Sequence, residues 1–473
     1  MKQTKIIATM GPASSDPVMI EKLILAGVNV FRLNFSHGDH ATHKNNIDLI
    51  RKVAAKLSKP IAIMGDLQGP KIRVSKFTNS KVELPNGATI VLDTEYKELG
   101  NENIVGVDYE DLAKDVKPGD TLLLDDGKIT FTVIGVDGSK IKCSVIQGGI
   151  LKNNKGINKL GGGLTAPALT DKDLEDIKFI ATQKIDYVAI SFPKDLADVQ
   201  LAKLKLAEAG SSKVQIISKM ERTEAVFDNM LAIIKASDGV MVARGDLAVE
   251  VGEALVPGLQ KKLVSMCRKY HKVSIVATQM LESMIDSPVA TRAEVSDIAN
   301  AVLDGTDAVM LSAETASGNF PLQAVETMAR VCAEAEKMAD TDLESKFIHE
   351  KFANKQQTIA MAALFSAYHL ESKAIVALTA SGSIARWLSR VISGIPIYAV
   401  TDSPEAFQSM AMYRGVQPYF LKHKATETSE HAKEACNFLQ HQQILNDGDT
   451  VIVTMGDKVA NVGGTNALKV LTI

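Results

Sequence analysis

The sequence predicts an α/β protein: a (β/α)8 TIM barrel with an all-β domain inserted after strand 3, followed by a C-terminal α/β domain. Short apolar runs alternate with helical segments, which is the pattern of a parallel sheet. This alternation stops near residue 71 and resumes near residue 165, with turn-rich, β-prone sequence between. The 473 residues are also too many for one hydrophobic core, and they predict about two to four domains.

The first βα units are identified from apolar runs and from helix boundary signals. Residues Lys5–Thr9 predict a strand, and Ser15 or Asp16 can cap the helix that follows, with a proline in its first turn. The next predicted elements are the strand Val28–Leu33, the helix His40–Leu57 and the strand Ile61–Met64.

The inserted segment, residues 71–164, consists of short β-prone runs separated by Asn-Gly and Asp-Gly turn signals. The clearest runs are Thr89–Leu92, Thr121–Leu124, Ile129–Ile134 and Ile141–Ile146. This pattern predicts an all-β domain, either a small barrel or a sandwich.

Beyond residue 165 five more strands are each preceded or followed by a helix, which completes eight βα units and predicts a closed barrel. The predicted strands are Tyr187–Ser191, Val214–Lys219, Gly239–Ala243, Ser274–Ala277 and Ala308–Leu311. The predicted helices are Asp171–Gln183, Asp195–Glu208, Ala225–Lys235, Pro257–Tyr270, Arg292–Val302 and Pro321–Met338.

The remaining chain predicts a linker and a smaller α/β domain. Residues 340–357 are polar and charge-rich, and they predict a linker that carries some helix. The strands predicted after it are Ala374–Leu378, Ile397–Val400, Val416–Leu421, Thr450–Thr454 and Ala467–Ile473. The expected domains are therefore a barrel of residues 1–70 and 165–339, an insert of residues 71–164 and a C-terminal domain of residues 340–473.

Composition excludes several classes of function. A charged content of 23% and a net charge of −3 give no reason to expect nucleic-acid binding or a polybasic membrane surface. The four cysteines are far apart, which argues against a zinc site or a disulfide framework and for a reducing compartment. No signal-peptide core or membrane-spanning run is found, so a cytoplasmic location is expected.

Polar or charged residues follow almost every predicted barrel strand, at the end where such barrels carry their chemistry. They are Arg32, Asn34 and Ser36 after the second strand, Asp66 after the third, Lys219 and Glu221 after the fifth, Arg244, Gly245 and Asp246 after the sixth, Thr278 and Gln279 after the seventh, and Ser312 and Glu314 after the eighth. Any one could belong to a solvated loop, but the whole set favours one shared site.

These residue types suit an anionic substrate beside a metal ion. Glu221 and Asp246 offer the hard oxygens that Mg²⁺ or Mn²⁺ prefers, and two protein ligands leave positions for substrate and water. Arg32, Arg73 and Lys219 form a cationic clamp suited to phosphate.

Two uncharged donors complete the predicted set. Gly245 allows its backbone N–H to approach a ligand at the start of a helical turn, and Thr278 offers a hydroxyl. Removing one such donor typically raises a reaction barrier by about 3–4 kcal/mol.

Five motifs identify a resemblance to the pyruvate kinase family. They are Arg32–Gly38 (RLNFSHG), Asp66–Arg73 (DLQGPKIR), Ser218–Glu221 (SKME), Met241–Leu247 (MVARGDL) and Ala277–Met284 (ATQMLESM). The last motif is highly specific, and the resemblance runs from the first strand to the end of the sequence.

The resemblance implies phosphoryl transfer from phosphoenolpyruvate to ADP, which gives ATP and an enolate that is protonated to pyruvate. By position, Lys219 would neutralise charge on the transferring group, and Glu221 and Asp246 would bind the divalent ion. Gly245, Asp246 and Thr278 would contact the substrate. Because a threonine hydroxyl is a weak acid, we expect Thr278 to deliver the proton through a water.

The resemblance also implies a nucleotide and phosphate side, lined by Arg32, Asn34, His37, Arg73 and Lys155. Lys155 comes from the insert, which looks like the family's lid domain. A lid that excludes water would prevent loss of the phosphoryl group to hydrolysis.

One position departs from the pattern of many family members. Those members bind K⁺ at positions that match Asn34, Ser36, Asp66 and the backbone of Leu67, beside a glutamate, and this chain has Lys71 at the glutamate position. An ammonium there could supply the charge of the bound ion. We therefore expect activity that does not strictly require K⁺, unless Lys71 points to solvent.

The C-terminal domain carries a small-residue segment between a strand and a helix. Its candidate effector residues are Thr379, Ser381, Gly382 and Ser383. Small residues and hydroxyls at a helix start can bind anions, and in the family this corner holds a phosphorylated activator. The final loop, residues 455–461, lacks the Trp and Arg associated with fructose 1,6-bisphosphate. A sugar monophosphate or AMP is therefore expected, and a plain loop is the alternative.

Two other functions remain open from the residues alone. One is a barrel aldolase or lyase that stabilises a pyruvate enolate on Mg²⁺, which would need neither Arg73 nor Lys155. The other is a non-catalytic metabolite-binding protein. The resemblance also implies a homotetramer.

Overall fold

The computed structural model describes residues 2–341, 352, 354–423, 425, 427–458 and 462–473. The predicted linker, residues 340–357, lies mostly outside the described residues, and a helix begins at Lys355 near its end. Within the described ranges, no helix is both long and apolar enough to cross a membrane.

The first part of the barrel follows the predicted alternation. Its elements are β1 (Lys5–Thr9), α1 (Pro17–Ala26), β2 (Val30–Asn34), α2 (His40–Leu57) and β3 (Ala62–Asp66). Asp16 is the residue that caps α1, because its carboxylate accepts hydrogen bonds from the N–H groups of Val18 and Met19 at 3.1 and 3.0 Å.

The insert is built almost entirely of strands. Its elements are β4 (Lys81–Leu84), β5 (Thr89–Asp93), β6 (Ile104–Gly106), α3 (Leu112–Asp115), β7 (Thr121–Leu124), β8 (Ile129–Asp137), β9 (Lys140–Gln147), β10 (Gly149–Lys152) and β11 (Ile157–Lys159). Six strands form one sheet in the order β11-β7-β8-β9-β5-β6, and β10 pairs with β4 separately. Arg73 bridges to Gly156 beside β11, and Val74 bridges to Val107 beside β6, so the entry segment links the two edges of the sheet.

The second part of the barrel supplies its other five strands. Its elements are α4 (Asp171–Ala181), β12 (Tyr187–Ile190), α5 (Leu196–Glu208), β13 (Gln215–Lys219), α6 (Thr223–Phe227), α7 (Met230–Ala236), β14 (Gly239–Ala243), α8 (Arg244–Val251), α9 (Val256–Lys269), β15 (Val273–Ala277), α10 (Arg292–Leu303), β16 (Ala308–Leu311), α11 (Ala313–Ala316) and α12 (Pro321–Glu336). Eight parallel strands close in the order β1-β16-β15-β14-β13-β12-β3-β2, which confirms the (β/α)8 barrel.

One local prediction was wrong in this part, and one helix was predicted only as a turn. The helix expected over residues 225–235 is two helices, because Asp228 and Asn229 interrupt it and the Asn229 amide donates to the Lys194 carbonyl at 3.0 Å. A helix also begins at Arg244, directly where β14 ends, and the expected helix near Pro257 is the next one along the chain.

The C-terminal domain is a five-stranded sheet with helices. Its elements are α13 (Lys355–His369), β17 (Ala374–Leu378), α14 (Ser383–Leu388), β18 (Ile397–Thr401), α15 (Pro404–Ser409), β19 (Val416–Phe420), α16 (Thr428–His441), β20 (Thr450–Gly456) and β21 (Thr465–Thr472). The order is β19-β18-β17-β20-β21, and β21 runs antiparallel to β20.

This domain packs against the barrel at the end where the strands begin. Residues from inside the barrel, such as Ile7, share one apolar cluster with C-terminal residues such as Leu388 and Met410. Tyr187, at the start of β12, is fully buried, and its hydroxyl donates to the Ser409 carbonyl at 2.6 Å. The opposite end of the barrel faces the insert.

A buried ion pair joins the two domains. Arg390 of the C-terminal domain donates hydrogen bonds from both terminal guanidinium nitrogens to Asp307 of the barrel, and the bond from Nη1 measures 2.8 Å. The same carboxylate accepts from the N–H groups of Ser274 at 2.9 Å and Arg414 at 3.0 Å. Because both side chains are almost fully buried, each charge needs the other.

We expect Arg390→Met to lower the free energy of unfolding by about 3–5 kcal/mol, because it leaves the Asp307 carboxylate buried without its counter-charge. Urea unfolding monitored by circular dichroism measures this. The exposed pair between Lys44 and Asp48 provides the control, since Lys44→Met removes a solvated ion pair and should hardly move the midpoint. Equal midpoint shifts for the two variants would contradict the prediction.

Candidate active site

A cleft of about 330 Å³ lies between the carboxyl ends of the barrel strands and the insert. The predicted residues that line it are Arg32, Asn34, Ser36, His37, Asp66, Leu67, Lys71, Arg73, Lys155, Lys219 and Asp246. Glu221 lies beneath this lining, and Gly245 and Thr278 do not line it. The strand ends and the insert therefore bring most of the predicted residues into one cavity.

The centre of the site is the Lys219 ammonium, at the end of β13. It lies 2.8 Å from Glu221 Oε1 and 3.8 Å from Asp66 Oδ1, and it donates to Ser191 Oγ at 2.9 Å. Burial alone would lower the pKa of Lys219, but the charges of Asp66, Glu221 and Asp246 outweigh it and raise the pKa above its usual value. The lysine is therefore a permanent positive charge in the cleft.

Arg32 provides a second fixed cation, at the end of β2. Its Nε donates to Asp66 Oδ2 at 2.6 Å, and its Nη1 donates to Thr9 Oγ1 at 3.2 Å. Asp66 is 1% exposed and lies between Arg32 and Lys219. One buried carboxylate thus holds two cations side by side, which is the arrangement an anionic substrate requires.

The Glu221 carboxylate is placed to bind a metal ion. It is 0% exposed, and its Oε2 accepts from the Phe192 N–H at 2.9 Å. Its Oε1 lies near the Lys219 ammonium, but no donor among the described residues reaches that oxygen with hydrogen-bonding geometry. Because polar atoms rarely stay unsatisfied when buried, this oxygen is suited to a cation.

Asp246 is the second candidate ligand, in the first turn of α8. It lines the cleft, and its Oδ1 lies 3.5 Å from the Lys71 ammonium. No group of three or more metal-ligating side chains occurs in the part of the chain that the structure describes. A site with only two carboxylates fits Mg²⁺, which keeps several oxygen ligands from water or substrate.

Gly245 differs from its predicted role. Its N–H donates to Thr278 Oγ1 at 2.9 Å and is not free for a ligand. The Thr278 hydroxyl donates in turn to the Ala277 carbonyl at 2.6 Å. The Arg244 guanidinium points away from the cleft, to Asp297 and to the Thr278 carbonyl at 2.7 Å. These bonds fix the loop after β15.

The insert contributes the far wall of the cleft. Lys155 pairs with Asp125 at 2.6 Å, and both residues line the cavity. Arg73 donates its Nη1 to the Lys71 carbonyl at 3.1 Å. Both cations therefore face the barrel across the space that a bound molecule would fill.

The segment at the end of β2, which carries Asn34, Ser36 and His37, is held by hydrogen bonds to its backbone from α2 and α4. His43 contacts the His37 carbonyl at 2.9 Å through Nε2, and Lys172 donates to the Phe35 carbonyl at 2.7 Å. These contacts fix the backbone of the segment and leave its side chains directed at the cleft.

Sequence reasoning missed several residues of the site, among them Ser191 and Phe192 at the end of β12 and Asp125 of the insert. Ser191 and Phe192 both line the cleft, and they contact Lys219 and Glu221 respectively. The rule used for the other strand ends would have found Ser191. No sequence signal indicates that the Phe192 backbone N–H is used.

The four effector candidates lie at one corner of the C-terminal domain. Thr379, Ser381 and Ser383 line a cavity of about 40 Å³, together with Asp402, His423, His431 and Lys458. Gly382 caps α14 with φ 79°, and its N–H donates to Thr379 Oγ1 at 2.9 Å. Residues 459–461 of the predicted final loop lie outside the described residues.

Known proteins resemble this chain over its whole length. The family model "Pyruvate kinase, barrel domain" matches residues 1–325, and "Pyruvate kinase, alpha/beta domain" matches residues 357–471. The chain is 48% identical to pyruvate kinase II of Salmonella typhimurium over 477 aligned positions, which cover 100% of this chain and 99% of that protein. It is 46% identical to pyruvate kinase of Haemophilus influenzae, again over 100% and 99%. The crystal structure of a pyruvate kinase from Cryptosporidium parvum is similar with a TM-score of 0.94 and 36% identity, covering 100% of this chain and 96% of that one.

We expect the affinity for Mg²⁺, measured by calorimetry without substrates, to fall as the pH is lowered below about 7. Burial raises the pKa of Glu221 to about 7, with Lys219 opposing the rise and Asp246 adding to it. At lower pH the ion must therefore displace a proton, and each pH unit should weaken binding by up to about tenfold.

Glu221→Gln should bind Mg²⁺ weakly and with little dependence on pH, whereas Asp246→Asn should weaken binding but keep the dependence. Equal affinity of the unchanged protein at about pH 6 and about pH 8 would show that Glu221 is already ionised across this range.

Proposed function

The chain belongs to the pyruvate kinase family, and from this premise we propose how its residues carry out the reaction. The enzyme transfers a phosphoryl group from phosphoenolpyruvate to ADP, giving pyruvate and ATP, in the last step of glycolysis. The observation that carries our assignment of roles is the Lys219 ammonium, held in the cleft between Glu221 and Asp66.

Lys219 neutralises charge on the phosphoryl group during transfer. A phosphoryl group in transit spreads negative charge over its outer oxygens, and positioned cations stabilise that charge. The raised pKa of Lys219 keeps the amine protonated throughout, so it acts as a charge and not as a base. Arg32, 2.6 Å from the shared Asp66, binds the substrate phosphate beside it.

Glu221 and Asp246 would hold Mg²⁺ or Mn²⁺, which when bound acts as a Lewis acid toward phosphate and enolate oxygens. Support comes from the buried Glu221 Oε1, which has no partner among the described residues beyond its ion pair with Lys219, and from the Asp246 carboxylate that lines the cleft. Both ligands come from neighbouring strand ends, β13 and β14, so the barrel fixes their separation.

Thr278 assists protonation of the enolate through a water, because a threonine hydroxyl is too weak an acid to act alone. Its hydroxyl donates to the Ala277 carbonyl and accepts from the Gly245 N–H in this structure. The hydroxyl hydrogen must therefore turn from that carbonyl to the water, which gives its own proton to the enolate while Thr278 is reprotonated from solvent. Asp246 lines the substrate side of the site, and Gly245 and Thr278 lie behind it, where the Gly245 N–H holds the Thr278 hydroxyl oxygen.

Asn34, His37, Arg73 and Lys155 form the nucleotide side. Arg73 lies at the junction with the insert and Lys155 lies within it, so closure of the insert would bring cations onto the nucleotide phosphates. Closure would also exclude water, which favours transfer to ADP over hydrolysis. We propose residues 71–164 as the lid domain, residues 1–70 and 165–339 as the catalytic barrel, and residues 340–473 as a regulatory domain.

Lys71 takes the place of a bound K⁺. The proposal is supported by its position in the cleft with Asn34, Ser36 and Asp66, and by its ammonium 3.5 Å from Asp246 Oδ1. A fixed positive charge there gives the substrate the electrostatic attraction that a monovalent ion otherwise supplies.

We expect a coupled assay with ADP, phosphoenolpyruvate and Mg²⁺ to give comparable turnover in tetramethylammonium and KCl buffers. Lys71→Glu should lose most activity in tetramethylammonium and regain it with KCl, because the new carboxylate restores a site for the ion. Lys71→Met is the matched control, since it removes the charge without adding an acid and KCl should rescue it less. If the unchanged enzyme shows almost no turnover until KCl is added, the proposal for Lys71 is wrong. If pyruvate is released without ADP, the assigned reaction is wrong.

The corner formed by Thr379, Ser381, Gly382 and Ser383 binds a phosphorylated effector. Its hydroxyls surround the start of α14, and Lys458 adds a positive charge to the lining of the cavity. Asp402 also lines this cavity and would repel a second phosphate, which favours a sugar monophosphate or AMP.

We expect a sugar monophosphate or AMP to lower the half-saturating concentration of phosphoenolpyruvate. Ser381→Asp should abolish that response without changing basal activity, because its carboxylate would repel the phosphate. Inorganic phosphate and a sugar bisphosphate serve as controls. If neither a sugar monophosphate nor AMP changes the half-saturating concentration of phosphoenolpyruvate, the assignment is wrong.

We also propose a homotetramer located in the cytoplasm, on the strength of family membership alone. Light scattering of the purified protein measures the assembly directly. Nucleic acid and membrane lipid are not proposed as partners, given the net charge of −3.

A further inference from the structure

Ser191 directly follows the fourth barrel strand, β12, and none of the roles above uses it. Ser191 is 1% exposed, and its Oγ accepts a hydrogen bond from Lys219 Nζ at 2.9 Å. The same hydroxyl donates its hydrogen to the Leu67 carbonyl at 2.8 Å. Because the only hydroxyl hydrogen is committed to Leu67, the oxygen lone pairs are turned toward the lysine.

The next residue, Phe192, contacts the other member of the central ion pair. Its N–H donates to Glu221 Oε2 at 2.9 Å, and its ring centre lies 6.0 Å from Lys219 Nζ. Phe192 has φ 56°, a left-handed conformation that bulky residues rarely adopt. That conformation turns the N–H toward Glu221, so two consecutive residues hold the lysine and the glutamate separately.

We propose that Ser191 is a positioning residue that fixes the Lys219 ammonium, while the Phe192 backbone N–H fixes Glu221 beside it. This inference rests on the role proposed above for Lys219. The other close partners of Lys219 are the carboxylates Glu221 and Asp66, which draw the ammonium toward themselves. Ser191 is its neutral partner, so it directs the ammonium without offsetting the positive charge that the phosphoryl group needs.

The loop after β3, which carries Leu67, is packed tightly against Ser191. Gly69, with φ 68°, lies so close that a Cβ there would stand 2.6 Å from Ser191 Cβ. The loop after β3 is therefore packed directly on Ser191, and any larger side chain at position 191 would displace it. Alanine is the substitution that removes the hydroxyl without this clash.

Ser218 offers a matched control. It is also a fully buried serine, one residue before Lys219, but its hydroxyl bonds to Ser237 Oγ at 2.7 Å and not to the lysine. Ser191→Ala and Ser218→Ala each delete one buried hydroxyl from adjacent strands. Only the first removes a partner of Lys219.

The experiment compares steady-state kinetics and Mg²⁺ calorimetry of these two variants in the full chain. We expect Ser191→Ala to lower kcat by about 10- to 100-fold, with KM values and the Mg²⁺ affinity within about twofold of the unchanged enzyme. Ser218→Ala should keep kcat within about twofold. In a Lys219→Arg background, Ser191→Ala should add less than about twofold, because its effect acts through the lysine.

Equal kcat for Ser191→Ala and Ser218→Ala would overturn the proposal. A loss of kcat that is as large in the Lys219→Arg background would overturn it too, since Ser191 would then act independently of the lysine. Lys219→Met separates this failure from a failure of the proposed function. If that variant keeps normal turnover, the role of Lys219 itself is wrong, whereas an inactive Lys219→Met beside a normal Ser191→Ala rejects only the positioning role.

Discussion

The structure depends on one electrostatic constraint at the carboxyl end of the barrel. Glu221 and Asp66 are buried carboxylates, and a buried charge without partners costs several kcal/mol. Their counter-charges, Lys219 and Arg32, come from different strands, so the cluster exists only when β2, β3 and β13 are in register. The closed barrel provides that register. The fold itself therefore has to bring these two cations together at the open end of the barrel.

The two ends of the barrel divide stability from chemistry. At the end where strands begin, Asp307 is neutralised by Arg390 and covered by the C-terminal domain. At the other end, the Lys219 side chain keeps 12% of its surface exposed toward the cleft. The Asp307 carboxylate at the covered end has satisfied partners and little access, whereas the Lys219 ammonium at the open end faces the cleft. The same barrel can therefore be rigid at the end where its strands begin and reactive at the end where they finish.

Much of this arrangement could be predicted from local pattern. The βα alternation predicted the closed barrel. The polar residues expected at the ends of β2, β3, β13 and β14 include six that line the cleft, which are Arg32, Asn34, Ser36, Asp66, Lys219 and Asp246. What failed depends on backbone direction, which no side-chain pattern encodes. The Gly245 N–H is used by Thr278, and the Phe192 N–H by Glu221. Of the helix that starts at Arg244, only a helical turn beside Gly245 was predicted.

Backbone conformation at the cleft follows from the same hydrogen bonds. Phe192 and Thr278 have φ values of 56° and 66°, although bulky and β-branched residues rarely adopt this region. Such conformations cost about 1–3 kcal/mol each and persist only where the surroundings fix them. Glu221 fixes the first through the Phe192 N–H, and Arg244 with Gly245 fixes the second. Folding thus stores strain at the ends of β12 and β15, and in return the Glu221 carboxylate and the Thr278 hydroxyl oxygen are held in fixed orientations.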